Sequence, residues 1–201
     1  GLKMDLTDNR FDPTTGFIGA TTYQLAGTYL GGSNKFHRIS VDLGYYQPLV
    51  WKLVGHIRGN LIVANSYGGK RLPVQERIYL GGTDTVRGFK TFHLSPTEAV
   101  TDASGMTHQE RIGGNKALYF NNEVMFPVYE PLGLKGLVFF DAGNAFRGGE
   151  SLSLTDLRPT AGGGVRVATP FGLVRIEWGL NLDKRPGEAN SAVHLTMGST
   201  F

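Results

Sequence analysis

A period of two runs through this chain and constrains its fold more than any other feature. Apolar and polar residues alternate in segments of about ten, separated by Gly, Asn, Asp or Pro. No stretch sustains the three-to-four spacing of an amphipathic helix, and no apolar run carries helix caps. The alternation predicts strands over Phe17–Leu30, Phe36–Gln47, Trp51–Ala64, Lys116–Phe126, Leu134–Phe146, Thr160–Thr169, Leu173–Leu182 and Ala192–Phe201. That is an all-β chain of about eight strands, most of them long enough to cross a bilayer at a tilt (~9–11 residues).

Each predicted strand has one apolar and one polar face. Val193, Leu195, Met197 and Phe201 share a face in the last strand, and His194, Thr196, Gly198 and Thr200 share the other. Val174, Ile176, Trp178, Leu180 and Leu182 oppose Arg175, Glu177 and Asn181. Ile39, Val41, Leu43 and Tyr45 oppose Arg38, Ser40 and Asp42. Alternation alone fits two architectures. A soluble sandwich or lipocalin-like binding barrel turns the apolar face inward, and a membrane barrel turns it to lipid.

Three features favour the membrane barrel. The polar faces mix opposite charges with small residues, as a hydrated lumen would. Turns on one side are short and marked by Pro or Gly, as at Gln47-Pro48-Leu49 and Thr169-Pro170-Phe171-Gly172, whereas the other side carries one long loop. The chain also closes a strand on an aromatic, Phe201. The mean hydropathy of −0.15 is compatible with this, because only every second strand residue of a barrel meets lipid. Glycine, at 29 of 201 residues, is about twice its usual share, which suits strands that bend and pack closely. The start at Gly1, with a turn at Asp8–Pro13, reads as a fragment or a trimmed mature domain.

Between the third and fourth of these strands lies a loop over about 65–114 with little alternation, and such a long irregular segment points to function or disorder. It contains Gly81-Gly82-Thr83-Asp84-Thr85 followed by Val86-Arg87-Gly88-Phe89. This resembles the signature loop of the outer-membrane assembly and translocation barrels, the BamA/TamA-type family. Three further segments, Asp8–Gly16, Phe139–Phe146 and Thr169–Arg175, resemble family segments in the same order. The ending at Phe201 looks like the C-terminal recognition signal of outer-membrane proteins.

The resemblance implies the C-terminal half of the family's barrel of about sixteen strands. The whole of 1–201 would then be a single transmembrane β-barrel domain, without the soluble POTRA domains. It implies residence in the outer membrane of a Gram-negative bacterium and insertion of nascent barrel proteins there without ATP. A weakly closed seam would template incoming strands, with Val193, Leu195, Met197 and Phe201 on the strand at that seam. It also implies that the loop folds into the lumen, where Arg87 pairs with Glu123 and Asp141. Alternation makes an inward Glu123 reasonable, and Asp141 would be costly facing lipid. Implied partners are outer-membrane lipid, nascent outer-membrane proteins and accessory lipoproteins bound through POTRA domains. A homodimer of half-barrels is a further option. A secretion pore of the same superfamily is the alternative function.

One conflict follows from size. Eight strands enclose a lumen that side chains nearly fill, with no room for the loop. Two chains therefore pair into a wider barrel, or the loop sits outside, or the other half is needed.

Catalytic and cofactor chemistry is not legible. The five His residues lack metal-ligand spacing, and there is no Cys. Gly113-Gly114-Asn115-Lys116-Ala117 lacks the ending of a phosphate loop, and no Gly-x-Ser-x-Gly elbow is present. We expect no enzyme and no cofactor. A net charge of +3, dispersed along the chain, gives no reason to expect nucleic acid.

Overall fold

The computed structural model describes residues 1–10, 12–27, 31, 34–169 and 172–198. Its strands are β1 (Leu2–Asp5), β2 (Gly16–Ala26), β3 (Phe36–Pro48), β4 (Val54–Ser66), β5 (Thr97–Thr101), β6 (Thr107–Arg111), β7 (Lys116–Tyr129), β8 (Leu134–Phe146), β9 (Arg158–Thr169), β10 (Gly172–Asn181) and β11 (Ser191–Gly198). Nine of them form one antiparallel sheet in the order β1-β2-β3-β4-β7-β8-β9-β10-β11, and β5 and β6 form a separate hairpin inside the long loop.

Among the described residues the count is therefore eleven strands, not eight. The three extra ones are short and lack the signal that marks the others. β1 is four residues, all exposed, paired with β2 from Leu2↔Thr21 to Asp5↔Ile18. β5 and β6 are five residues each and almost wholly exposed, so neither has an apolar face to alternate. The predicted start of the third strand also shifts. Val50–Lys52 form a short 3-10 turn, with Trp51 at φ 56° and Lys52 at φ 63°, and the strand begins at Val54. Lys52 Nζ donates to Glu130 Oε1 at 2.6 Å and ties this turn to the β7–β8 turn. Leu30, Pro170, Phe171, Thr200 and Phe201 lie outside the described residues.

The apolar faces point outward. Ile57 is 59% exposed and Leu195 73%, whereas Asp141 and Glu177 on the opposite faces are 0% exposed. A soluble barrel would do the reverse, so the lipocalin-like reading falls and the sheet is the wall of a transmembrane barrel. Among the described residues no helix is long and apolar enough to cross a membrane.

Among the described residues β1 and β11 do not pair with each other. The long loop packs on its concave side rather than outside it. Leu72, Ile78, Leu80, Val86, Phe89 and Leu94 of the loop bury themselves against wall residues that include Ala64, Ala117, Tyr119 and Ala145. Nearer the short turns, Tyr46, Val54, Met125, Leu137 and Phe139 form a second apolar cluster. The wall curves around the loop, so the option that places the loop outside falls.

At the β1–β2 turn, Asp8 accepts the Thr14 hydroxyl at 2.6 Å and the Thr14 and Thr15 amides at 2.8 and 3.1 Å. The Thr14 hydroxyl, joined by these amides, holds the Asp8 carboxyl well below the usual carboxylate range.

Candidate functional site

Two bridges fold the loop on itself, and a tight glycine turn brings it to the wall. Ile78 pairs with Gly114 and Leu80 with Leu94, which draws the loop's two limbs together. Gly81 and Gly82 both adopt φ +103°, and the Gly81 amide donates to the Thr85 hydroxyl at 2.8 Å. Wall residue Asn121 donates to the Thr85 carbonyl at 2.6 Å. The next four residues, Val86 to Phe89, are all buried.

Each of those four has its own seat. Val86 lies over Gly143, where a Cβ would come within 2.7 Å of the Val86 side chain. Gly88, at φ +91°, lies against Gly179 of β10, where a Cβ would come within 2.5 Å of the Gly88 nitrogen. Backbone therefore meets backbone, and side chains on either glycine would hold them apart. The Arg158 guanidinium sits 4.8 Å from the Phe89 ring centroid, a cation–π distance. Arg158 is itself held by both oxygens of Glu188, at 2.6 Å each, and by Asp183 at 3.0 Å.

Arg87 is 1% exposed and makes the densest contacts in the site. Its Nε and Nη2 donate to the two oxygens of Asp141 at 2.7 and 2.6 Å, a bidentate fork that lysine cannot form. Its own backbone N–H donates to the same carboxylate at 3.0 Å. Nη1 donates to Glu123 at 2.5 Å and lies 3.4 Å from Glu177. The guanidinium lies 3.7 Å from the centroid of the Phe139 ring.

A second arginine completes the cluster. Arg166 of β9 donates to Glu177 at 2.9 and 2.7 Å and to Glu123 at 3.0 and 2.8 Å. Glu123 and Glu177 are thus each shared by the two arginines, and the cluster draws on β7, β8, β9, β10 and the loop. His56 of β4, stacked on Tyr46 with centroids 4.0 Å apart, places Nδ1 3.5 Å from Glu123. The cluster lies between the two apolar layers of the lumen, where water screens it little. Burying such charges is expensive, so the arrangement says less about net stability than about position. Removing one partner leaves the others uncompensated, and that fixes where the loop can sit.

The structure brings Val86, Arg87, Gly88, Phe89, Glu123 and Asp141 into one site. Glu177, Arg166, Gly179 and Asn121 belong to the same site, and the motif did not point to them. Alternation placed Glu177 on the polar face but gave no sign of which inward charges meet. Val193, Leu195 and Met197 of β11 stand apart from this cluster, exposed on the outer face. Among the described residues β11 pairs with β10 alone. Phe201 lies outside the described residues. Among the described residues no group of three or more His, Asp or Glu could hold a metal ion.

The family model of the Omp85 superfamily domain matches residues 1–201. The chain belongs to the Omp85 superfamily. Over its whole length it is 32% identical to an outer membrane protein assembly factor BamA of Nitratidesulfovibrio vulgaris and 26% identical to that of Neisseria meningitidis serogroup B. It spans only 25% and 28% of these two relatives. The crystal structure of BamA from Haemophilus ducreyi lacking POTRA domains 1-3 superposes with a TM-score of 0.80 at 21% identity. That match covers 97% of this chain and 39% of the other, and it shows the shared fold.

Proposed function

We propose that this chain is the barrel part of an assembly factor in the bacterial outer membrane, folding and inserting nascent β-barrel proteins there. The observation that carries the reading is the combination of a loop clamped to the wall by Arg87 with a free edge on β11. An unpaired edge offers backbone N–H and C=O groups to an incoming strand. Clamping the loop keeps the wall curved and ordered while that edge stays open. Arg87, with Glu123 and Asp141, acts as the lock in this reading. The relatives named above are assembly factors, which supports assembly over the secretion pore. The two free edges also suit a second sheet that completes the barrel, either a further part of the same protein or another copy of this chain. Accessory lipoproteins would act through POTRA domains.

The test is reconstitution in liposomes with an unfolded outer-membrane protein as substrate, its folding read by heat-modifiable gel migration. Arg87→Ala should slow substrate folding several-fold and expose the loop to protease, and Arg87→Lys should fall between it and the parent. Unchanged protease sensitivity in Arg87→Ala would remove the lock. Substrate folding no faster with the protein than without it would remove the assembly reading.

A further inference from the structure

The loop holds a second part of the wall. Just before Arg87, the Gly82–Asp84 turn leans on the last two strands of the sheet. Thr83 and Thr196 of β11 hydrogen bond through their hydroxyls at 3.0 Å. Asp84 accepts from Arg175 of β10 at 3.0 Å, and its carbonyl accepts from Arg58 of β4 at 3.2 Å. Further along β11 its inner face is covered too. Ala192 and His194 are buried, although among the described residues β11 has β10 as its one sheet neighbour. The His194 ring lies beside the Phe89 backbone. The outer residues of the same strand, Val193, Leu195 and Met197, are exposed.

An edge strand held by one ladder is the element of a sheet most free to peel. Here the loop adds support from the lumen side, beside the ladder to β10. We infer that Thr83 and Asp84 form a latch, separate from the Arg87 cluster, through which the docked loop holds β11 in the sheet. Thr83 and Asp84 are then positioning residues for the free edge. The docked loop keeps β11 straight and presented, and lifting the loop tip lets the strand move. The structural half of this inference stands on the contacts alone. Its consequence for assembly rests on the function proposed above.

Amide hydrogen exchange on the folded protein in liposomes reads the latch directly. Thr83→Val keeps the shape of the side chain and removes its hydroxyl. Combined with Asp84→Asn, it should raise exchange across 191–198 several-fold and leave β7 and β8 unchanged. No change in β11, or an equal rise in every strand, would overturn the latch. The chain has no cysteine, so a Thr83→Cys, Thr196→Cys pair gives a clean converse. Oxidation should cross-link the pair and slow β11 exchange, and reduction should restore it. A cross-link that fails to form would also overturn the latch. If cross-linking protects β11 but leaves substrate folding at the parent rate, the latch stands and the role of this edge in assembly falls.

Discussion

At the scale of single residues, the three carboxylates around Arg87 are not equivalent. Asp141 takes three hydrogen bonds from Arg87 and is wholly buried. Glu177 lies 3.4 Å from Arg87 and is chiefly the partner of Arg166. Asp141→Asn removes half of the fork and leaves Arg87 short of charge, a change that costs on the order of 3–5 kcal/mol for a buried pair. Glu177→Gln keeps the shape and loses only part of its bonding, about 1–3 kcal/mol. Local opening free energies of Val86–Phe89, taken from amide exchange, should rank the variants in that order. Equal losses would show that charge count, not geometry, docks the loop. Arg87, Glu123 and Asp141 were legible because the family resemblance named all three, alternation turned Glu123 inward, and Asp141 would be costly facing lipid. Arg166 and Glu177 were not, because alternation assigns a face and not a height. Which inward charges meet depends on the stagger of strands far apart in sequence.

At the scale of elements, the eight long strands were legible and the placement of the loop was not. A strand writes its apolar face into every second residue. The loop's burial comes from scattered residues such as Leu72, Ile78, Leu80 and Leu94, which have no common period. Glycines near the end of the chain suggest bending by composition alone, yet Gly179 serves mainly as the floor for Gly88. Gly179→Val separates the loop from the strand that receives it. Valine suits a strand, so β10 should keep its pairing with β9 and β11. Its side chain would occupy the space taken by the Gly88 backbone, so the loop should lift. The expected result is unchanged far-ultraviolet circular dichroism with faster protease cleavage inside 67–115. A loop as resistant as in the parent would mean that backbone contact at Gly179 does not seat it.

At the scale of the whole molecule, the outward apolar belt and the docked loop come from one design. Inner faces carry the charges that hold the loop, so apolar residues are left for the outside, where only lipid can receive them. Phe140 tests this at a central strand, away from the free edges. It sits midway along β8, points outward at 46% exposure, and neighbours Asp141, which points in. Phe140→Arg should lower the stability of the protein folded in vesicles by about 2–4 kcal/mol, the cost of arginine near a bilayer midplane. Urea titration of folding into vesicles measures it. A loss near zero would place residue 140 in water and turn the wall inside out. In that case Asp141 would face lipid and the Arg87 cluster could not exist, so this substitution tests the wall and the lock together.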